Sequence, residues 1–139
     1  MSMLPLLDDA RIIDDLRRAL GDDLIAVYRF GSSARGEART DSDCDLAVLC
    51  RTPLARLARF DLQEHLAAAL GRDVDLVDLS TASPVLAVQA VFHGRLLAET
   101  DAAARGAFED RVLSSYARLN EERRGILERV VAEGTVHGR

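Results

Sequence analysis

Asp43 and Asp45 stand one residue apart at the start of Cys44-Asp45-Leu46-Ala47-Val48-Leu49, an otherwise apolar run with the composition of a strand. Side chains alternate along a strand, so both carboxylates point to one face, with Cβ atoms roughly 6 to 7 Å apart. Held that close they repel one another and raise each other's pKa unless a cation or donors compensate. The spacing suits oxygen-ligated divalent ions: each carboxylate can take a Mg²⁺, or the two can bridge a pair about 3.5–4 Å apart. Taken alone, such a pair is better explained by solvation at the mouth of a strand.

The preceding loop shifts the balance. Gly31-Ser32 directly follows the hydrophobic run Leu24 to Phe30, where a glycine lets backbone N–H groups approach an anion closely. Ser32 adds a hydroxyl donor, and the residues after it can start a helical turn whose free N–H groups attract phosphate. A phosphate cradle followed by paired carboxylates is the equipment for holding a Mg²⁺-nucleoside triphosphate. It also supplies the electrostatics of phosphoryl or nucleotidyl transfer.

Residues 31–46, GSSARGEARTDSDCDL, resemble a known signature. Gly-Ser, ten residues and then Asp-x-Asp is the mark of the polymerase-β-like nucleotidyltransferase superfamily. The fuller run is similar to its minimal branch, the MNT proteins, including MntA-type antitoxins paired with HEPN-domain toxins. Gly31, Ser32, Ala34, Arg35, Gly36, Ser42, Asp43, Asp45 and Leu46 all match, and Cys44 takes a position that is usually aliphatic. Looser likeness extends to VDLVDL at 74–79 and to residues 93–119.

The resemblance implies a third carboxylate on a neighbouring strand. Asp73 and Asp75 share one face of the run DVDLVDL, and Asp78 lies on the other if the strand stays regular. Asp75 takes the role by its place in the family-like VDLV run; a bulge would hand it to Asp78. The implied mechanism has Asp43 and Asp45 bridging two Mg²⁺ ions, with Asp75 on the ion nearer the nucleophile and able to accept its proton. Gly31 and Ser32 hold the nucleotide. Arg35 either clamps the triphosphate bidentately or pairs with Glu37 or an acid of the sheet. Ser42 either touches the nucleotide or tightens the loop. Arg39 reads as a surface residue, and His65 and His93, without metal-ligand company, as structural or solvated.

The chain has 139 residues, enough for one domain and one core. A net charge of −5 speaks against sequence-blind nucleic-acid binding and against a tRNA groove. All 18 basic residues are Arg, which rules out a phosphate loop ending in Gly-Lys-Ser/Thr. Cys44 and Cys50 lie about 20 Å apart along a strand, beyond disulfide reach, as in a reduced cytoplasmic protein. No signal peptide and no membrane span is expected. After the third strand only about 60 residues follow, with no sign of a separate acceptor domain. The resemblance then implies that the acceptor is a protein: a tyrosine of a HEPN ribonuclease toxin receives AMP from ATP, within a toxin–antitoxin hetero-oligomer. A steric antitoxin without catalysis and a small-molecule nucleotidyltransferase of the aminoglycoside-modifying kind are the alternatives.

Positioning these groups falls to simple elements. Helical spacing runs from Asp8 to Leu20 with Gly21 as a stop, and strands are expected at Leu24 to Phe30, Asp43 to Cys50 and Asp73 to Leu79. Between them Leu54 to Leu70 is helical, with Pro53 as an early helix residue and Gly71 as its end. Ser83-Pro84 opens a helix to about His93, Arg95 to Glu99 forms a short edge strand, and a long helix starts at Asp101. On that helix Phe108, Val112, Tyr116 and Leu119 form a stripe for the sheet core or a partner, with the core favoured, and Ile126, Leu127, Val130 and Val131 continue it beyond a weak point at Gly125. The expected fold is α+β, of polymerase-β nucleotidyltransferase type: a small mixed sheet flanked by helices with a C-terminal helical extension. Residues 1–139 are read as a single minimal domain, with a core at about 8–99 and a C-terminal helical segment at about 101–133.

Overall fold

A computed structural model describes residues 4–31 and 43–136. Four strands, β1 (Leu24–Phe30), β2 (Cys44–Cys50), β3 (Val74–Asp78) and β4 (Arg95–Glu99), form one sheet in the order β3-β2-β1-β4. β1 runs antiparallel to both β2 and β4, whereas β2 and β3 are parallel. A parallel pair needs a crossover, and helix α2 (Arg56–Leu70) provides it. The sheet is therefore mixed.

Each face of the sheet has its own layer. Cys44, Leu46, Val48, Cys50, Val74 and Leu76 pack against Ile12 and Leu16 of α1 (Leu4–Leu20) and Leu62 and Leu66 of α2. The other face sets Ala26, Tyr28, Phe30, Ala47 and Leu49 beneath α3 (Pro84–Val91) and the first half of α4 (Ala102–Val136), with Ala87, Val88, Phe108 and Val112 in contact. A shift of register between Leu24 and Ala26 puts Ile25 and Ala26 in the same layer, so β1 does not alternate strictly.

Local signals were followed closely in places. Gly71 takes the left-handed conformation that ends α2, at φ 70°. Ser83 caps α3 by accepting from the Leu86 N–H at 3.2 Å, with Pro84 in the first turn. α4 opens on Asp101, whose carboxylate accepts from the Ala104 N–H at 3.0 Å and, with help from Arg51, titrates below the usual carboxylate range.

Elsewhere the chain departs from expectation. Pro53 and Leu54 lie outside α2, which begins at Arg56. The lead-in is held by distant acids instead: Thr52 Oγ1 donates to Asp23 at 3.0 Å and the Leu54 N–H to Asp78 at 2.8 Å. Leu79 leaves β3 for a 3-10 turn, Leu79–Thr81. α4 passes Gly125 without a break, giving 35 residues and a length of about 50 Å. Tyr116 is half-buried against the core, but Ile126, Leu127, Val130 and Val131 stay exposed, so the core stripe ends before them.

The outer edge of β3 is closed by α2. Gln63 accepts from the Leu76 N–H at 2.8 Å and Arg59 donates to the Leu76 carbonyl at 3.0 Å, so this edge offers no free backbone pair there. Among the described residues no helix is long and apolar enough to cross a membrane.

Candidate active site

β1 delivers the chain to Gly31, which has φ +75°. That conformation alone disfavours any residue with a Cβ. Space forbids one as well: a Cβ on Gly31 would sit 2.3 Å from Oδ2 of Asp45. The first residue of the loop and the second aspartate of the pair are thus pressed against each other.

Registry does the rest. Phe30 pairs with Asp45 across the antiparallel β1–β2 ladder, and Asp45 pairs with Asp75 across the parallel β2–β3 ladder. Residues paired in register share a face, so Asp45 and Asp75 lie side by side on the face covered by α3 and α4. Asp43 precedes β2, two residues from Asp45, and is exposed like Asp75, while Asp45 is half-buried. The Asp45 carboxyl is held above the usual carboxylate range by its burial first, then by the negative charges of Asp75 and Asp43. Three acids therefore lie on one face at the end that β2 and β3 share, next to the end of β1.

Gly94 closes that end from above. A Cβ there would lie 2.3 Å from the Ala90 carbonyl, 2.8 Å from the Arg29 carbonyl and 2.9 Å from Phe30 Cβ, so the turn from α3 to β4 packs on the end of β1. The opposite, α1 side is fixed by ions. Arg29 is 3% exposed and donates to Asp9 at 2.7 Å, while Arg95 donates to the other oxygen of Asp9 at 2.9 Å. Arg72, just before β3, donates to Asp8 at 2.8 Å. These pairs tie β1, β4 and the approach to β3 to the first turns of α1. Sequence reading passed over them, although an arginine inside LIAVYRF is the sign that a buried acid must come from elsewhere.

Asp78 belongs to a different construction. The β2–β3 register is unbroken from Cys44↔Val74 to Val48↔Asp78, so no bulge turns Asp78 toward Asp45. Its buried carboxylate accepts from Leu54 N at 2.8 Å, Ser80 N at 3.0 Å and Ser80 Oγ at 2.7 Å. Asp73 is exposed ahead of β3, and its carbonyl accepts from the Cys44 N–H at 2.9 Å. His65 stands 3.5 Å from Asp15 on the α1–α2 surface, away from the acids. Ser32, Arg35 and Ser42, with Ala34, Gly36, Glu37 and Arg39, lie outside the described residues.

The acid set fits a hard divalent cation. Its donors are all oxygen, and a cation beside Asp45 would offset both the burial that lifts it most and the repulsion from Asp75 and Asp43. Among the described residues no three such side chains close on one point by themselves. Mg²⁺ rarely asks for that, since it keeps waters and takes substrate phosphates alongside one or two carboxylates.

Residues 12–103 match the family model described as polymerase beta, nucleotidyltransferase. The chain is 40% identical over 126 residues, 91% of its own length and 89% of the relative's, to the protein adenylyltransferase MntA of Shewanella oneidensis. The chain belongs to the polymerase-β nucleotidyltransferase family, among its MntA proteins. Solved MntA-type structures agree with this nucleotidyltransferase in fold. A toxin–antitoxin crystal structure with AMP-PNP superposes with a TM-score of 0.79 at 39% identity, over 88% of this chain and 98% of that one. The MNT antitoxin bound to the tri-AMPylated HEPN toxin of Shewanella oneidensis gives 0.76 at 37% identity, over 91% and 98%. The polymerase-β nucleotidyltransferase fold, with its mixed sheet and long C-terminal helix, is thereby confirmed.

Proposed function

We propose that this nucleotidyltransferase transfers AMP from Mg²⁺-ATP to a tyrosine hydroxyl of a cognate HEPN ribonuclease toxin and so silences it. One observation carries the reading: Asp45 lies in register with Asp75 and against Gly31, in a chain similar along nearly its whole length to a protein adenylyltransferase. The likeness to an antitoxin solved with its AMPylated toxin supports the choice of acceptor. The net charge of −5 also suits a protein acceptor that brings its own binding surface.

In this mechanism Asp43, Asp45 and Asp75 would hold two Mg²⁺ ions, which would neutralise charge on the triphosphate and acidify the acceptor hydroxyl. Gly31 and Ser32 would bring backbone and hydroxyl donors to the phosphates and Arg35 would clamp the triphosphate, with Ser42 touching the nucleotide or tightening the loop. The acceptor oxygen attacks the α-phosphorus, the bond to pyrophosphate breaks, and a phosphodiester to AMP forms. Asp75, the most exposed of the acids in the ladder, takes the hydroxyl proton. Residues 1–139 work as one minimal domain, core about 8–99 and helical segment about 101–133, in a hetero-oligomer with the toxin. We place it in the cytoplasm, where the buried free thiols of Cys44 and Cys50 stay reduced.

The test uses ATP labelled in either its α- or its γ-phosphate, with Mg²⁺ and the purified cognate toxin. Label entering the toxin from the α-position alone supports nucleotidyl transfer. Label from the γ-position, or none from either, refutes it.

A further inference from the structure

We propose that Asp8 and Asp9, consecutive residues of α1, are positioning residues for the transfer reaction: each pins one of the two strands that bring Gly31 and Asp75 to Asp45. The proposal rests on the proposed reading of those acids as the metal site of an adenylyltransferase. Arg29 and Arg95 are cross-strand partners in the antiparallel β1–β4 ladder. Like charges directly opposite one another push such a ladder apart. One carboxylate reconciles them: Asp9 accepts from Arg29 through one oxygen at 2.7 Å and from Arg95 through the other at 2.9 Å. The Asp9 side chain is only 11% exposed, so solvent and salt screen these contacts weakly. Arg29 shares the α1 face with its partner Leu46, away from the acids, so Asp9 acts on them only through the backbone of β1. That route is short. The next residue, Phe30, pairs with Asp45, and the chain then turns at Gly31 against the Asp45 carboxylate.

Asp8 does for β3 what Asp9 does for β1. It accepts at 2.8 Å from Arg72, whose side chain is 6% exposed. Arg72 directly precedes Asp73, whose carbonyl accepts from the Cys44 N–H at 2.9 Å, and β3 starts at Val74. Asp75 follows, in register with Asp45. Ile12 and Leu16, further along the same helix, pack on β2 and its neighbours, so α1 rests on the sheet while its two acids grip the strands on either side of β2. Apolar side chains could fill the same layer, but a charge-assisted hydrogen bond also fixes direction, and so sets where a strand lies along its own axis. A carboxylate set that binds a metal jointly needs that axial setting, because slippage of β1 or β3 moves Gly31 or Asp75 past Asp45.

Two readouts on the full chain test this, each corrected for the folded fraction by a thermal melt. The first is Mn²⁺ binding in the presence of AMP-PNP, followed by electron paramagnetic resonance without toxin. The second is single-turnover transfer of AMP to the toxin at saturating ATP. Asp9→Asn should weaken Mn²⁺ binding and slow transfer by about tenfold or more each. Asp78→Ala, destabilised at the far end of β3, should change neither. Adding Arg95→Met to Asp9→Asn removes one of the two facing charges and should restore most of both losses. Should Asp9→Asn fail to fold, Asp8→Asn, at a side chain 28% exposed, carries the same expectation for both readouts. An Asp9→Asn protein that is less stable yet binds Mn²⁺ and transfers AMP normally overturns the proposal. So does an equal loss in Asp78→Ala, or a loss that Arg95→Met does not relieve. A wild type that binds Mn²⁺ but leaves the toxin unmodified refutes the proposed transfer, and the Mn²⁺ comparison among the variants then decides the positioning role. A wild type that binds no Mn²⁺ overturns both.

Discussion

Replacing Gly31 by alanine isolates the contact on which the candidate site turns. The methyl group has to occupy a position 2.3 Å from Asp45 Oδ2, and ordinary contact begins near 3.4 Å, so the carboxylate must move by about 1 Å. The left-handed φ of +75° adds a backbone cost of about 1 to 2 kcal/mol, a fall in Tm of roughly 4 to 8 °C for a domain of this size. A displacement of about 1 Å in a catalytic group commonly costs about 10²-fold in rate. Gly31→Ala should therefore stay folded yet transfer AMP to the toxin about 100-fold more slowly at saturating ATP. Single-turnover transfer, read beside a thermal melt of the same sample, checks both numbers. A melted-down but fully active enzyme would show that the Gly31–Asp45 contact is structural only, and the reasoning would fail.

Other perturbations separate the acids. Asp45 is held above its ordinary range, so its ionised form costs the metal-free fold stability. That cost is absent below the unfolded value near 3.8 and grows as the pH rises through and above it. Asp45→Asn should thus melt higher than wild type at pH 7 and lose this advantage at pH 3, while losing both activity and stabilisation by Mg²⁺. Asp75→Asn should keep the fold and lose transfer by orders of magnitude. Asp78→Ala should do the reverse, leaving Leu54 and Ser80 donors unmet at a cost of about 2 to 4 kcal/mol in denaturant melts, with near-normal rate per folded molecule. Asp9→Ala, which removes the acid gripping both Arg29 and Arg95, should cost about 3 to 5 kcal/mol by the same melts.

The pattern of Asp43 and Asp45 and the Gly31 turn could be read from the chain because strand parity and glycine conformation are local. Parity could say that Asp75 shares a face, but not that it pairs with Asp45, since that register is set by α2 and the crossover between them. Long-range polar partners were also invisible. Tyr28 donates to Glu109 at 2.8 Å from 81 residues away, and burial with that bond pushes its phenol well up. Asp78 draws Leu54 out of the helix that Pro53 suggested, for the same reason. Periodicity found the whole stripe of α4, yet a period names a face without naming what covers it. Hence Phe108 and Val112 lie in the core, while Ile126 to Val131, which continue the same stripe, are exposed.

In the proposed reaction these carboxylates support transfer of AMP to a protein. Intact mass spectrometry of the cognate toxin, after incubation with this chain, ATP and Mg²⁺, measures it directly. The expected result is a ladder of AMP increments with loss of ribonuclease activity, both absent with Asp43→Ala/Asp45→Ala. A toxin of unchanged mass that is nonetheless neutralised, by wild type and variant alike, would contradict it.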